Sequence, residues 1–70
     1  RVDGTIVAYE KAIRWDEDYV EAYNNLATVY ANSGRLNKAE ELWLRTLEID
    51  PEYGIAHEKL EKVRAGLSGG

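Results

Sequence analysis

The chain has 70 residues, nine basic and thirteen acidic side chains for a net charge of −4, and no cysteine. That length allows one domain burying about 60% of its unfolded surface; the missing thiols exclude disulfides, thiolate metal sites and thiol redox chemistry, and are more typical of a cytosolic than of a small secreted protein. The charges are interspersed along the chain instead of forming a basic block, which argues against a nucleic-acid footprint or an anionic-membrane anchor, and no apolar run reaches the length of a membrane span or a signal segment.

The spacing of apolar residues predicts four helices. The first runs from about Asp3 to Trp15, with Ile6, Tyr9, Ala12 and Ile13 on one stripe, and stops at the polar run Asp16, Glu17, Asp18. Asp18 is the expected N-cap of the second helix, about Tyr19 to Asn32, with Glu21 three residues on at the capping-box spacing. Asn32, Ser33 and Gly34 end that helix, because glycine accepts the left-handed conformation that follows many helices. The third, about Asn37 to Ile49, places Leu36, Ala39, Leu42, Trp43, Thr46 and Leu47 on one face and is stopped by Asp50-Pro51. The fourth, about Tyr53 to Ala65, carries Ala56, Leu60 and Val63 and yields at Gly66, leaving residues 67–70 as a flexible tail. Glu10 with Arg14, Glu41 with Arg45 and Glu58 with Lys62 stand one helical turn apart with the acid first, a spacing that suits ion pairs. Short connections favour antiparallel neighbours, so the expected class is all-α, a row of helical hairpins.

An offset of 34 residues superimposes the chain on itself without a gap. Arg1 falls on Arg35, Asp16 on Asp50, Tyr19 on Tyr53, Ala22 on Ala56, Leu26 on Leu60 and Val29 on Val63, with Val2 and Leu36, Tyr9 and Trp43, Lys11 and Arg45, and Ile13 and Leu47 as similar pairs. A period of a few tens of residues marks a stacked repeat. Within one period, Tyr23, Leu26, Ala27 and Tyr30 on one helix are followed by Ala39 and Trp43 on the next and by Pro51 after it, a pattern that resembles the tetratricopeptide repeat. The departures are Tyr23 for the family's tryptophan, Ala27 for its glycine and Thr46 for its second small alanine.

The resemblance implies a particular frame: residues 1–19 as the second helix of one repeat, 20–53 as a full repeat, and 54–66 as a polar closing helix with His57 and Glu61 in the aromatic and small slots. Glu17 stands where the first boundary would have proline. It also implies that first helices line a concave face, so that Glu21, Asn24, Asn25, Thr28, Asn32, Glu58, Lys59 and Lys62 meet a protein or peptide partner. A chaperone-tail clamp is the lesser reading, because Asn25 and Lys59 occupy two of its slots but Ile55 stands where another lysine is needed. In this frame Ile6, Tyr9 and Ala12 lack the preceding helix they would pack against, so exposed apolar surface is expected at the ends and the alternative function is self-assembly, as a homodimer through the end helices or as a scaffold segment. Arg1 in first place and Ser68-Gly69-Gly70 at the end read as a fragment with an engineered or flexible tail.

No catalytic or cofactor site is expected. His57 is the single histidine, too few for zinc or a nucleophile–base pair. Asp16, Glu17 and Asp18 lack the glycine and distal glutamate of a calcium loop and read as helix-end complements, while Asp3-Gly4-Thr5 lacks a phosphate-loop lysine. Tyr9, Tyr23, Tyr30 and Trp43 are expected in the core, with Trp15 and Tyr53 near helix ends.

Overall fold

The computed structural model describes residues 2–16 and 19–69, with side chains described for 4–16 and 19–67. Among them the chain forms four helices and no strand: α1 (Val2–Trp15), α2 (Val20–Asn32), α3 (Leu36–Ile49) and α4 (Gly54–Gly69). Each packs on its neighbour in sequence. The pairing is antiparallel: Arg45 lies over Tyr23 and Trp43 reaches Asn24 between α2 and α3, while Leu36 adjoins Gly66 and Glu40 bonds Arg64 between α3 and α4.

The core is a single cluster. Leu26, Ala27 and Tyr30 of α2 meet Ala39 and Trp43 of α3 and Ala56, Leu60 and Val63 of α4, with Ile6 joining from α1. Ala27 and Ala39 are both fully excluded from water within this cluster, as expected of small side chains where helices pack closely. Burying Leu26, Leu60 and Val63 contributes about 1.5–3 kcal/mol each. Tyr23, Tyr30 and Trp43 are buried, and Tyr9 is half-buried against the cluster.

Three local expectations change. Ile6 is not an exposed end residue: α1 lays that stripe on α2, which buries Ile6 and half-buries Tyr9 and Ala12, and the exposed apolar groups of α1 are Val7, Ala8 and Trp15 on its outer side. Arg45 pairs with Glu48 at 3.6 Å and not with Glu41, and Glu10 and Arg14 are not paired with each other; only Glu58 and Lys62 meet as spaced, at 3.7 Å. Finally, α4 does not stop at Gly66 but continues to Gly69, so residues 67–69 are helical and not a tail. This part of α4 lies against the start of α3, where a Cβ at Gly66 would sit 3.3 Å from Leu36 Cδ1. Glu17 and the proposed Asp18 cap lie outside the described residues; α2 itself starts at Val20 with Tyr19 in the cap position.

The connections explain the reversals. After α2, Gly34 adopts φ +83°, Gly34 N–H bonds Ala31 O at 3.1 Å and Arg35 N–H bonds Tyr30 O at 2.8 Å, which together form a Schellman motif. Arg35 then folds back over the Tyr30 ring, 5.9 Å from its centroid. After α3, Asp50 is extended before Pro51, and its Oδ1 accepts the Glu52 N–H at 3.2 Å in a short turn.

These two glycines respond oppositely to a methyl group. Gly34→Ala forces a side chain into the left-handed region and is expected to lower stability by about 1–2 kcal/mol. Gly66→Ala gains helix propensity while half-buried Leu36 turns aside, and is expected to raise it by up to about 1 kcal/mol. Urea unfolding followed by circular dichroism reads both; equal stability of the Gly34 variant and the unaltered chain would contradict the turn described.

Candidate functional site

Because α2 and α4 both run antiparallel to α3, they lie parallel to each other, and a groove of about 240 Å³ opens where they meet. Thr28 and Asn32 of α2 form one wall, Lys59 and Lys62 of α4 the other, and Ala31, Leu36, Trp43 and Val63 line the rest. The walls are polar for the reason the floor is apolar: a helix that buries positions three and four apart leaves the intervening positions to its edges.

Four of the eight sequence-predicted residues therefore converge on this groove: Thr28, Asn32, Lys59 and Lys62. Glu21 and Asn25 are exposed on α2 outside it, and Glu58 is exposed on α4, where it pairs with Lys62. Asn24 departs from its expected place on an open wall. It is 9% exposed, and its Oδ1 accepts the Trp43 Nε1–H at 2.9 Å, because an indole N–H carried into the core by its ring requires a partner. Thr28 Oγ1 donates to the Asn24 carbonyl at 3.0 Å, which leaves its lone pairs free to accept from the groove.

Electrostatically the two walls differ. The α2 wall is uncharged, whereas the α4 wall carries two lysines: Lys62 is compensated by Glu58, and half-buried Lys59 has no carboxylate partner among the described residues. At the other edge of the hairpin, hydrogen bonding with Tyr23 holds the Arg45 guanidinium above its ordinary pKa, and it remains a cation.

Sequence reasoning placed Leu36, Trp43 and Val63 in the core alone and missed Ala31. These residues sit at the margin of the apolar stripes, where one side chain seals the hairpin with one edge and floors the groove with the other. A second, more open concavity of about 420 Å³ lies along α1 beside Lys11, Arg14 and Trp15, a residue that is 91% exposed. Among the described residues no group of three or more histidine or acidic side chains gathers as metal ligands, and no helix is long and apolar enough to cross a membrane.

Residues 8–41, one full 34-residue period, match the family model described as tetratricopeptide repeat. The chain is also similar to the uncharacterized protein ycf37 of Porphyra purpurea, 41% identical over 56 residues, which is 77% of this chain and 32% of that protein. It thus spans about a third of the length of the curated relative it matches.

The Asn24–Trp43 bond yields a direct expectation. Asn24→Ala strands a buried indole N–H and is expected to cost about 1–3 kcal/mol in urea unfolding. In a Trp15→Phe background, where Trp43 is the remaining tryptophan, the folded protein excited selectively at the indole band should emit in the blue-shifted range of a buried indole. A loss below about 0.5 kcal/mol, or emission typical of water, would contradict the bond.

Proposed function

Since the chain belongs to the tetratricopeptide repeat family, whose repeats generally mediate protein–protein interaction, we propose that it is a non-catalytic module holding a segment of a partner protein in the groove between α2 and α4. The supporting observation is that Thr28, Asn32, Lys59 and Lys62 face one another across an apolar floor that includes Trp43. Such a combination binds by burying apolar area and orients the bound segment by a few polar contacts. The volume lies below the range of ordinary small-molecule pockets, which suits one or two side chains of a peptide better than a whole metabolite.

The frame read from the sequence belongs to the same proposal: 1–19 a second helix, 20–53 a full repeat and 54–66 a closing helix, the groove forming where the first helices of consecutive repeats adjoin. A second reading, association of two copies through the end helices, is favoured by Val7 and the largely exposed Trp15 on the outer side of α1.

Peptides selected from a random library against the intact chain are expected to shift the backbone amides of Thr28, Asn32, Lys59 and Lys62. Thr28→Arg, which fills the groove from its uncharged wall, should weaken them about tenfold or more. Shifts gathered on Val7, Lys11 and Trp15, with affinity unchanged in the Thr28 variant, would overturn the groove in favour of α1; light scattering across concentrations separately decides whether copies associate there.

A further inference from the structure

We propose that the outer side of α1 is a second docking surface, formed by Val7, Lys11, Arg14 and Trp15, and that its occupant is an acidic segment of another protein that also carries an aliphatic side chain. The surface is independent of the groove between α2 and α4, whose lining includes no residue of α1.

The repeat supplies its own control. At the offset of 34, Val7, Lys11, Arg14 and Trp15 correspond to Glu41, Arg45, Glu48 and Ile49 of α3. On α3 those positions make a solvated face of mixed charge: Glu41 and Glu48 are exposed, Arg45 pairs with Glu48 at 3.6 Å, and Ile49 is half-buried. On α1 both acids are gone, one replaced by a valine that is 48% exposed and the other by an exposed arginine, while a tryptophan that is 91% exposed stands for the isoleucine. Because α3 shows that charges of both signs serve the fold at these positions, packing does not account for the apolar and basic set on α1. Placement in the last turn of α1 favours a cation at Arg14 through the helix dipole, but it explains neither Lys11 nor an indole left in water.

Val7, Lys11 and Trp15 stand one helical turn apart with Arg14 beside them, so the four share a stripe, and a concavity of about 420 Å³ lies among Lys11, Arg14 and Trp15. Tryptophan and arginine are the residues whose removal most often costs an interface its affinity. Here the indole and Val7 require apolar cover, while the guanidinium and ammonium groups require an anion. An acidic segment with an aliphatic side chain provides both, its carboxylates replacing displaced water with charge-assisted hydrogen bonds. Two-fold contact between copies through α1 would cover the apolar pair but set Lys11 and Arg14 of one copy against those of the other. A membrane is too broad an anionic surface, since it would also meet exposed Glu10 and Asp16 of the same helix and a chain of net charge −4. A narrow segment meets the stripe alone.

The test uses the intact 70-residue chain and three hexapeptides, acetylated and amidated so that they carry no terminal charge: glycine–leucine–X–X–leucine–glycine, with X glutamate, glutamine or lysine. Amide shifts locate each peptide, titration gives its affinity, and the emission of Trp15 moves to the blue as the indole is covered. The glutamate peptide is expected to shift Val7, Lys11, Arg14 and Trp15 and to bind about tenfold more tightly than the glutamine peptide, with the difference shrinking as salt is raised. Trp15→Ala should weaken it about fivefold. Arg14→Glu should turn the preference toward the lysine peptide, which also shows that the variant is folded, whereas Lys38→Gln, at an exposed cation of α3, should alter nothing. Equal affinity for the glutamate and glutamine peptides on α1, or a preference that survives Arg14→Glu, would sink the acidic occupant. Shifts confined to Thr28, Asn32 and Lys59 would overturn the α1 surface and leave the groove standing, and absence of binding by all three peptides would overturn the surface as well. Association of the chain alone in light scattering, abolished by Trp15→Ala, would give α1 to a second copy, and a blue shift on phosphatidylserine vesicles without any peptide shifts would give it to a membrane; either result overturns the proposal.

Discussion

Everything in this molecule depends on how closely α2 and α3 approach. Ala27 and Ala39 are sealed from water in one cluster between these helices, and Trp43 of α3 reaches Asn24 of α2 at 2.9 Å. That reach turns a general apolar attraction into a fixed register. Dispersion and burial hold any two greasy helices together, but the indole N–H has one acceptor and one geometry that satisfies it. The register of α2 against α3 is thereby tied to a side-chain hydrogen bond as well as to packing.

The same tryptophan couples the hairpin to the groove. Its ring is buried in the cluster of Leu26, Leu60 and Val63, yet one edge lines the space between α2 and α4. A groove floored by a core residue is preorganised: its shape is maintained by interactions that already stabilise the fold, so little ordering remains when a segment enters. The Schellman turn at Gly34 acts in the same direction, because Arg35 folded over Tyr30 and the left-handed glycine fix where α3 begins and therefore where Leu36 lies.

The fold was largely legible in the sequence because helical periodicity and the repeat offset are linear properties of the chain. Positions three or four apart share a face whatever they pack against, and Gly34 and Pro51 mark breaks by their backbone chemistry alone. What depended on three-dimensional proximity was not legible. Asn24 has the composition of a surface residue, and only the arrival of Trp43 from nineteen positions away converts it to a buried acceptor. Arg45 leans toward Tyr23 and Glu48, a choice among neighbours that spacing does not decide. Gly66 reads as a helix stop, whereas α4 continues past it beside Leu36. Of the groove, its polar walls were within reach of the pattern, while its floor was hidden inside residues already assigned to the core.

The two superimposable halves separate packing from recognition. At the offset of 34, Ala22, Leu26 and Val29 recur as Ala56, Leu60 and Val63, so part of the buried face is repeated, while buried Tyr23, Ala27 and Tyr30 give way to exposed His57, Glu61 and Arg64 on α4. At polar positions the correspondence also breaks: Thr28 on one groove wall becomes Lys62 on the other, Asn25 outside the groove becomes Lys59 on its α4 wall, and buried Asn24 becomes exposed Glu58. Neutral amides and a hydroxyl on one helix are replaced by charges on the other, although the backbones beneath them are equivalent. Packing tolerates little variation because the interior is filled, whereas an edge position is limited only by its hydration and its neighbours. Two parallel helices that share part of an apolar face and differ at their polar edges give a groove with unlike walls, charged on α4 and neutral on α2.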